Sequence, residues 1–155
     1  MPALQFSHAS DLAVPAERML ATLTMDGVNA ELGPWLRMTA PAGWAEKPIG
    51  EWPTAQPLFA SWILLLGVVP VDRHFFQLRS VQPGSGFVEE SSSLVNRSWV
   101  HQRSVTQVQG GCRMVDSVHY RSRLPLLGHL LKPVYRLVFW WRHRRLRSRF
   151  GMRES

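Results

Sequence analysis

The residues able to do chemistry in this chain gather between Trp99 and Tyr120. There W-x-H-x-R is followed by Gly110-Gly111 and then by M-x-D-x-V-x-Y. Asp116 or His101 has the proton affinity of a general base toward a carbonyl-bearing molecule, and Arg103 or Tyr120 could stabilise the negative charge that develops. The same four residues suit a closed structural network, with Arg103 paired to Asp116 and His101 bonded to Tyr120. In a third reading they touch a ligand and catalyse nothing.

Which of these holds depends on the strands that carry them. Two alternating runs around a Gly-Gly pair predict a β-hairpin. With Gly110 and Gly111 as the loop, Gln109 pairs with Cys112, Val105 with Asp116, Arg103 with Val118 and His101 with Tyr120. Side chains alternate along a strand, so Trp99, His101, Arg103, Asp116, Val118 and Tyr120 share one face. The other face holds Val100, Gln102, Ser104 and Thr106 with Arg113, Val115, Ser117 and His119, and is small and mostly polar. A sheet turns its bulky face inward. Burying that much polarity costs free energy unless the groups pair or meet water, so this face is expected to line a cavity.

A hydrophobic fraction of 45% with 19% charged residues describes a folded globular chain. Its 155 residues suffice for one domain, expected over residues 1–151 with a short tail at 152–155. The single cysteine, Cys112, excludes an internal disulfide framework and a multi-cysteine metal site. No metal is expected: His101 and His119 fall on opposite faces, and His8, Asp72 and His74 lack ligand spacing. No glycine-rich phosphate loop is present, and no cofactor is expected. Met1 to Leu12 has no basic segment leading into an apolar one, and the apolar run Leu58 to Val71 is too short to span a bilayer. A cytoplasmic protein is the expectation.

Elements follow from punctuation and periodicity. Leu4–His8 reads as a strand, and two short helices, started by Pro15 and broken near Gly27, reach Leu32. Gly33-Pro34 precedes a strand at Trp35–Thr39, and the Pro- and Gly-broken stretch 40–57 reads as a loop or lid. Strands follow at Leu58–Leu66, Asp72–Arg79 and Phe87–Ser93, then the hairpin, then a helix from Pro125 to Phe150. This order gives an α+β arrangement, one curved antiparallel sheet of about seven strands around a long C-terminal helix. Trp35 and Arg37 on the second strand join the expected cavity lining.

This order, with Phe87, Trp99-x-His101, Gly110-Gly111, Met114-x-Asp116-x-Val118-x-Tyr120, Leu127-Gly128 and Phe139-x-x-Arg142, resembles the helix-grip fold of the SRPBCC superfamily. That superfamily includes START lipid-binding domains, polyketide cyclases and the birch pollen allergen group, and its bacterial ligand-binding or cyclase-like subgroup is the nearest likeness. The resemblance implies an internal cavity for a small hydrophobic ligand, such as a lipid, isoprenoid or polyketide. It implies as an alternative a cyclase or aromatase, for which His101, Asp116 or Tyr120 would have to be free to touch substrate.

Charge is divided unevenly. Residues 1–120 carry a net −2, whereas residues 121–155 carry ten Lys/Arg against one acid, net +9. On the C-terminal helix Leu131, Val134, Val138 and Trp141 form one apolar stripe, and Phe139, His143, Leu146 and Phe150 a second. Arg142, Arg144, Arg145, Arg147 and Arg149 are expected at the surface. Either the last turns project past the sheet, or some of these arginines reach acids such as Glu89 or Glu90. A solvated face, contact with an anionic membrane and contact with nucleic acid are the readings of this cluster, although nucleic-acid-reading motifs are absent. Oligomeric state is left open.

Overall fold

The structure, a computed structural model, describes residues 2–154. Seven strands form one antiparallel sheet in the order β1-β7-β6-β5-β4-β3-β2. They are β1 Leu4–Leu12, β2 Leu36–Met38, β3 Pro57–Leu65, β4 Val69–Gln82, β5 Gly86–Ser93, β6 Asn96–Val108 and β7 Gly111–Ser122. Two short helices, α1 Ala16–Leu20 and α2 Met25–Leu32, interrupt the sheet after β1, and α3 Pro125–Phe150 closes the chain. Thr24 caps α2 by accepting from the Gly27 N–H at 2.9 Å, and Pro125 opens α3, where a missing N–H costs nothing. The expected α+β helix-grip architecture is the one observed.

The hairpin register differs from expectation by two residues. Val108 pairs with Gly111, Arg103 with Asp116, His101 with Val118 and Trp99 with Tyr120. The loop is therefore Gln109-Gly110, with Gly110 at φ +83°. Gly111 is needed for a different reason. It lies in β7 against β1, where a Cβ would sit 1.9 Å from the Leu12 carbonyl oxygen. A shift of two leaves every side chain on its expected face, so the inward set is unchanged. Gly111→Ala adds a methyl group against backbone at a φ that side chains rarely adopt. It is expected to cost about 1–3 kcal/mol, read as a lowered denaturant midpoint; an unchanged midpoint would show that β1 can move aside.

Three apolar clusters surround a polar centre. Leu12, Met19, Val105, Met114, Leu146 and Phe150 pack at one end. Phe6, Val118, Tyr120 and Phe139 pack against the middle of α3. Leu23, Met25, Trp52, Phe76, Leu78 and Phe87 form the third, joined by Trp44 and Phe59. The 40–57 segment thus packs its aromatic residues inward, with Trp52 Nε1 donating to the Lys47 carbonyl at 3.1 Å. Nor is the C-terminal tail detached: Met152 bridges to Leu12, and the Arg153 N–H donates to the Asp11 carbonyl at 3.2 Å.

Candidate functional site

α3 packs on β1, β7 and α2 and stands away from β3 and β4. The space left is a cavity of about 830 Å³. Its walls are mainly apolar: Leu23, Met25, Val28 and Leu32 from the α1–α2 segment, Leu36, Met38 and Ile63 from β2 and β3, and Leu131, Val134 and Val138 from α3. The first α3 stripe read from the sequence therefore faces the cavity. The second packs on the sheet, since Phe139, His143, Leu146 and Phe150 are all buried.

One region of the wall is ionic. Arg103 is buried at its centre and forms fork-shaped pairs with two carboxylates. Its Nε and Nη2 donate to Asp116 at 2.8 and 2.9 Å, and its Nη1 and Nη2 donate to Glu31 at 3.0 and 2.7 Å. Arg142 Nε donates to the same Glu31 at 3.0 Å. Asp116 also accepts from His101 Nε2 at 2.7 Å and His143 Nε2 at 2.8 Å, so four donors fill its acceptor sites. Ser10 Oγ, 2.6 Å from His143 Nδ1, sets the orientation of that ring. Beside this cluster His74 Nε2 donates to Glu89 at 2.6 Å, and the other Glu89 oxygen lies 3.9 Å from His101.

Burial alone would push the Asp116 and Glu31 carboxyls up. Burial is the largest single influence, but the charges and hydrogen bonds together outweigh it: Arg103 with His101 and His143 holds Asp116 well below the usual carboxylate range, and Arg103 with Arg142 holds Glu31 below it. At Glu89 burial is again the largest influence and works upward, and His74 with His101 and Ser91 together bring the carboxyl below its ordinary value. The Tyr120 hydroxyl is pushed up to about 12, first by burial and then by Tyr135, and donates to the Gly128 carbonyl at 2.7 Å.

The structure divides the expected lining. Trp35, Phe87, Trp99, His101 and Arg103 lie on the cavity wall. Asp116, Val118 and Tyr120 share their inward face but lie behind the wall, Asp116 beneath Arg103 and the other two in the Phe6–Phe139 cluster. Arg37 points the other way: it is exposed between Leu36 and Met38, which alternate onto the wall in its place. Of the five expected surface arginines, Arg142 is instead buried on Glu31, the acid it reaches in place of Glu89 or Glu90. Arg147 is half-buried and donates to Ser10 Oγ at 3.0 Å. Arg144, Arg145 and Arg149 are exposed.

Glu31, His74, Glu89 and His143 were not among the expected site residues. His143 carried a usable signal, as a single imidazole within the buried stripe of α3. Glu31 carried none, being an ordinary acid near the end of a short helix until Arg103 and Arg142 close on it. Arg142 has a further feature. Its guanidinium lies over the Phe139 ring at 4.9 Å and borders the cavity. Among the described residues only its Nε has a hydrogen-bond partner, so its two terminal nitrogens keep hydrogen-bonding capacity.

Residues 10–150 match the family model described as Domain of unknown function (DUF8410). No curated protein matches the sequence significantly. Among solved structures, the chain is similar to an aromatase/cyclase from Streptomyces sp. R1128, with TM-score 0.69 and 8% identity over 95% of this chain and 93% of that one. It is similar to a START superfamily protein from Mycobacterium smegmatis, with TM-score 0.66 and 9% identity over 94% and 96%. Ginseng major latex-like protein 151 from Panax ginseng gives TM-score 0.66 and 8% identity over 97% and 99%. These likenesses establish the helix-grip fold. Among the described residues no helix is long and apolar enough to cross a membrane.

Proposed function

We propose, for a chain that belongs to the DUF8410 family, that it binds a small hydrophobic molecule bearing one oxygen-containing polar end. The observation that carries this reading is the cavity of about 830 Å³, apolar over most of its wall and ionic in one place. Its size lies within the range of about 300–1,000 Å³ common for ligand sites. The apolar body would lie among Met38, Ile63, Trp99 and Val138, and its polar end would accept from the terminal nitrogens of Arg142. The Asp116–Arg103–Glu31 cluster serves this site as a rigid support, because its members satisfy one another. A cytoplasmic location fits the single, buried Cys112.

Native mass spectrometry of protein purified from its own host is expected to show one retained small molecule per chain. In parallel, the apolar dye 1-anilinonaphthalene-8-sulfonate is expected to bind with one site. Val138→Trp, which fills the cavity from α3, is expected to weaken it about tenfold or more, since tenfold is about 1.4 kcal/mol. Equal dye binding by the parent and by a folded Val138→Trp variant would remove the cavity from the account.

A second reading, a cyclase-type enzyme, is supported by one observation: the His74–Glu89 pair borders the cavity and makes no hydrogen bond to the Asp116 network, its nearest approach being 3.9 Å to His101. An imidazole held by a carboxylate is suited to take a proton from carbon next to a carbonyl. Turnover of a poly-β-ketone, abolished by His74→Ala while dye binding persists, is the result this reading expects. Absence of turnover by the parent protein would discard it.

A further inference from the structure

The cavity mouth is rimmed by large apolar side chains that face solvent. Trp35, Leu65, Val71, Val134, Leu137 and Trp140 all border the cavity, yet each is between 42% and 61% exposed. From this rim the apolar surface spreads in two directions. Along α3, Leu126, Leu130, Pro133, Leu137 and Trp140 follow one another at alternating spacings of four and three residues, and all five are exposed. At about 1.5 Å per residue this stripe is roughly 21 Å long. Across the mouth, the β3–β4 hairpin from Leu64 to Val71 contains no charged or polar side chain. Its tip shows Leu66 and Val68 at 58% and 74% exposure. Scattered apolar residues are ordinary on a protein surface, but a continuous patch bounded by charge marks an interaction face.

Charge decides what this face meets. α3 carries no Asp or Glu from end to end, and Arg136, Arg144, Arg145 and Arg149 are exposed along it. The Arg144 guanidinium stacks over Trp140 at 5.5 Å, which puts a cation beside the rim. A second copy docking through the same α3 face would bring these cations together with no acid on either helix to pair with them. An anionic bilayer answers both features at once: its acyl region takes the apolar residues, its headgroup level suits Trp35 and Trp140, and its phosphates attract the arginines.

We infer that the cavity mouth is a membrane-docking face, on which the β3–β4 tip and the exposed stripe of α3 enter the surface of an anionic bilayer. The mouth then opens toward lipid, and a hydrophobic molecule can pass between bilayer and cavity without crossing water. Docking resides in this rim and in Arg136 and Arg144. It does not require the whole basic cluster, two of whose members, Arg142 and Arg147, are held inside the fold. The inference is independent of ligand identity, because an empty cavity has the same rim.

The test is co-sedimentation of the full chain with vesicles of phosphatidylcholine alone and of phosphatidylcholine with about one third phosphatidylserine, across a salt series. The parent is expected to bind the anionic vesicles and to release from them as salt shortens the reach of its charges, from about 10 Å at 0.1 M to about 3 Å at 1 M. Val68→Glu and Leu137→Glu place a carboxylate on either side of the mouth at exposed positions, where folding should persist. Each is expected to reduce binding about tenfold or more, the equivalent of about 1.4 kcal/mol, with an unchanged circular dichroism spectrum. Failure of the parent to bind anionic vesicles at low salt overturns the inference, and so does equal binding by folded parent and variants. A lipid-free dimer that Leu137→Glu dissociates would assign the face to a second copy instead.

Discussion

Asp116→Asn is expected to lower stability by about 3–5 kcal/mol, because it removes one partner of a buried ion pair and leaves the other uncompensated. Asparagine keeps the size of the side chain. It presents one oxygen where Arg103, His101 and His143 direct four N–H bonds, and its amide adds a donor to a group of donors. A domain holds in total about 5–15 kcal/mol, so the variant should unfold at a much lower urea concentration. With a slope of about 1–3 kcal/mol per molar, the midpoint should fall by roughly 1 M or more. Arg103→Leu should be at least as damaging, since it takes two hydrogen bonds each from Asp116 and Glu31 and leaves two buried carboxylates with His101, His143 and Arg142 alone. Midpoints within error of the parent for both variants would mean that this cluster contributes nothing to folding.

Acid is expected to unfold the protein well before its surface charges alone would account for it. In the native state Asp116, Glu31 and Glu89 all titrate below their ordinary values, because burial, the largest influence at each, is outweighed by the arginines and histidines acting together: Arg103, His101 and His143 at Asp116, Arg103 and Arg142 at Glu31, His74 and His101 at Glu89. The unfolded chain, with carboxyl groups near 3.9 for Asp and 4.3 for Glu, therefore binds protons first as pH falls. Stabilisation from the three groups is complete above that range. It is lost progressively as pH falls through about 4 toward the lowered native values. Melting temperature should change little near neutrality and fall on the order of 10 °C between pH 6 and pH 3.5. Glu89→Gln removes one of the three groups and should make the decline shallower. A melting temperature independent of pH across that interval would contradict the shifted carboxyls.

Much of this architecture is written in short-range patterns. Strict alternation from Trp99 to Tyr120 assigns each side chain to a face, and that assignment survives the two-residue error in register because the strand period is itself two. Pro15, Gly33-Pro34 and Pro125 mark element boundaries, since each excludes a backbone conformation locally. The two stripes of α3 were visible as periodicity, and they face the cavity and the sheet as separate surfaces. Where such a pattern ended, the sequence was mute. The loop read as Gly110-Gly111 is in fact Gln109-Gly110, because Gly111 is taken into β7 against Leu12, a contact between residues almost a hundred positions apart.

The site divides along the same line. That His101, Arg103 and Asp116 share a face is a local property of two strands. That Asp116 lies behind the cavity wall, that Glu31 completes the Arg103 fork and that Arg142 turns inward all depend on α2, α3 and the sheet meeting. An isolated Glu or Arg has the same solvated identity anywhere on a helix. It becomes a support, a ligand contact or a surface charge through the partners and the burial that folding supplies. By itself, then, the sequence determined the elements, their order and the inward face, because these follow from one or two turns of chain. Only the tertiary structure decided which inward residues reach the cavity and which acids hold the arginines, because those depend on distances between segments that no local period encodes.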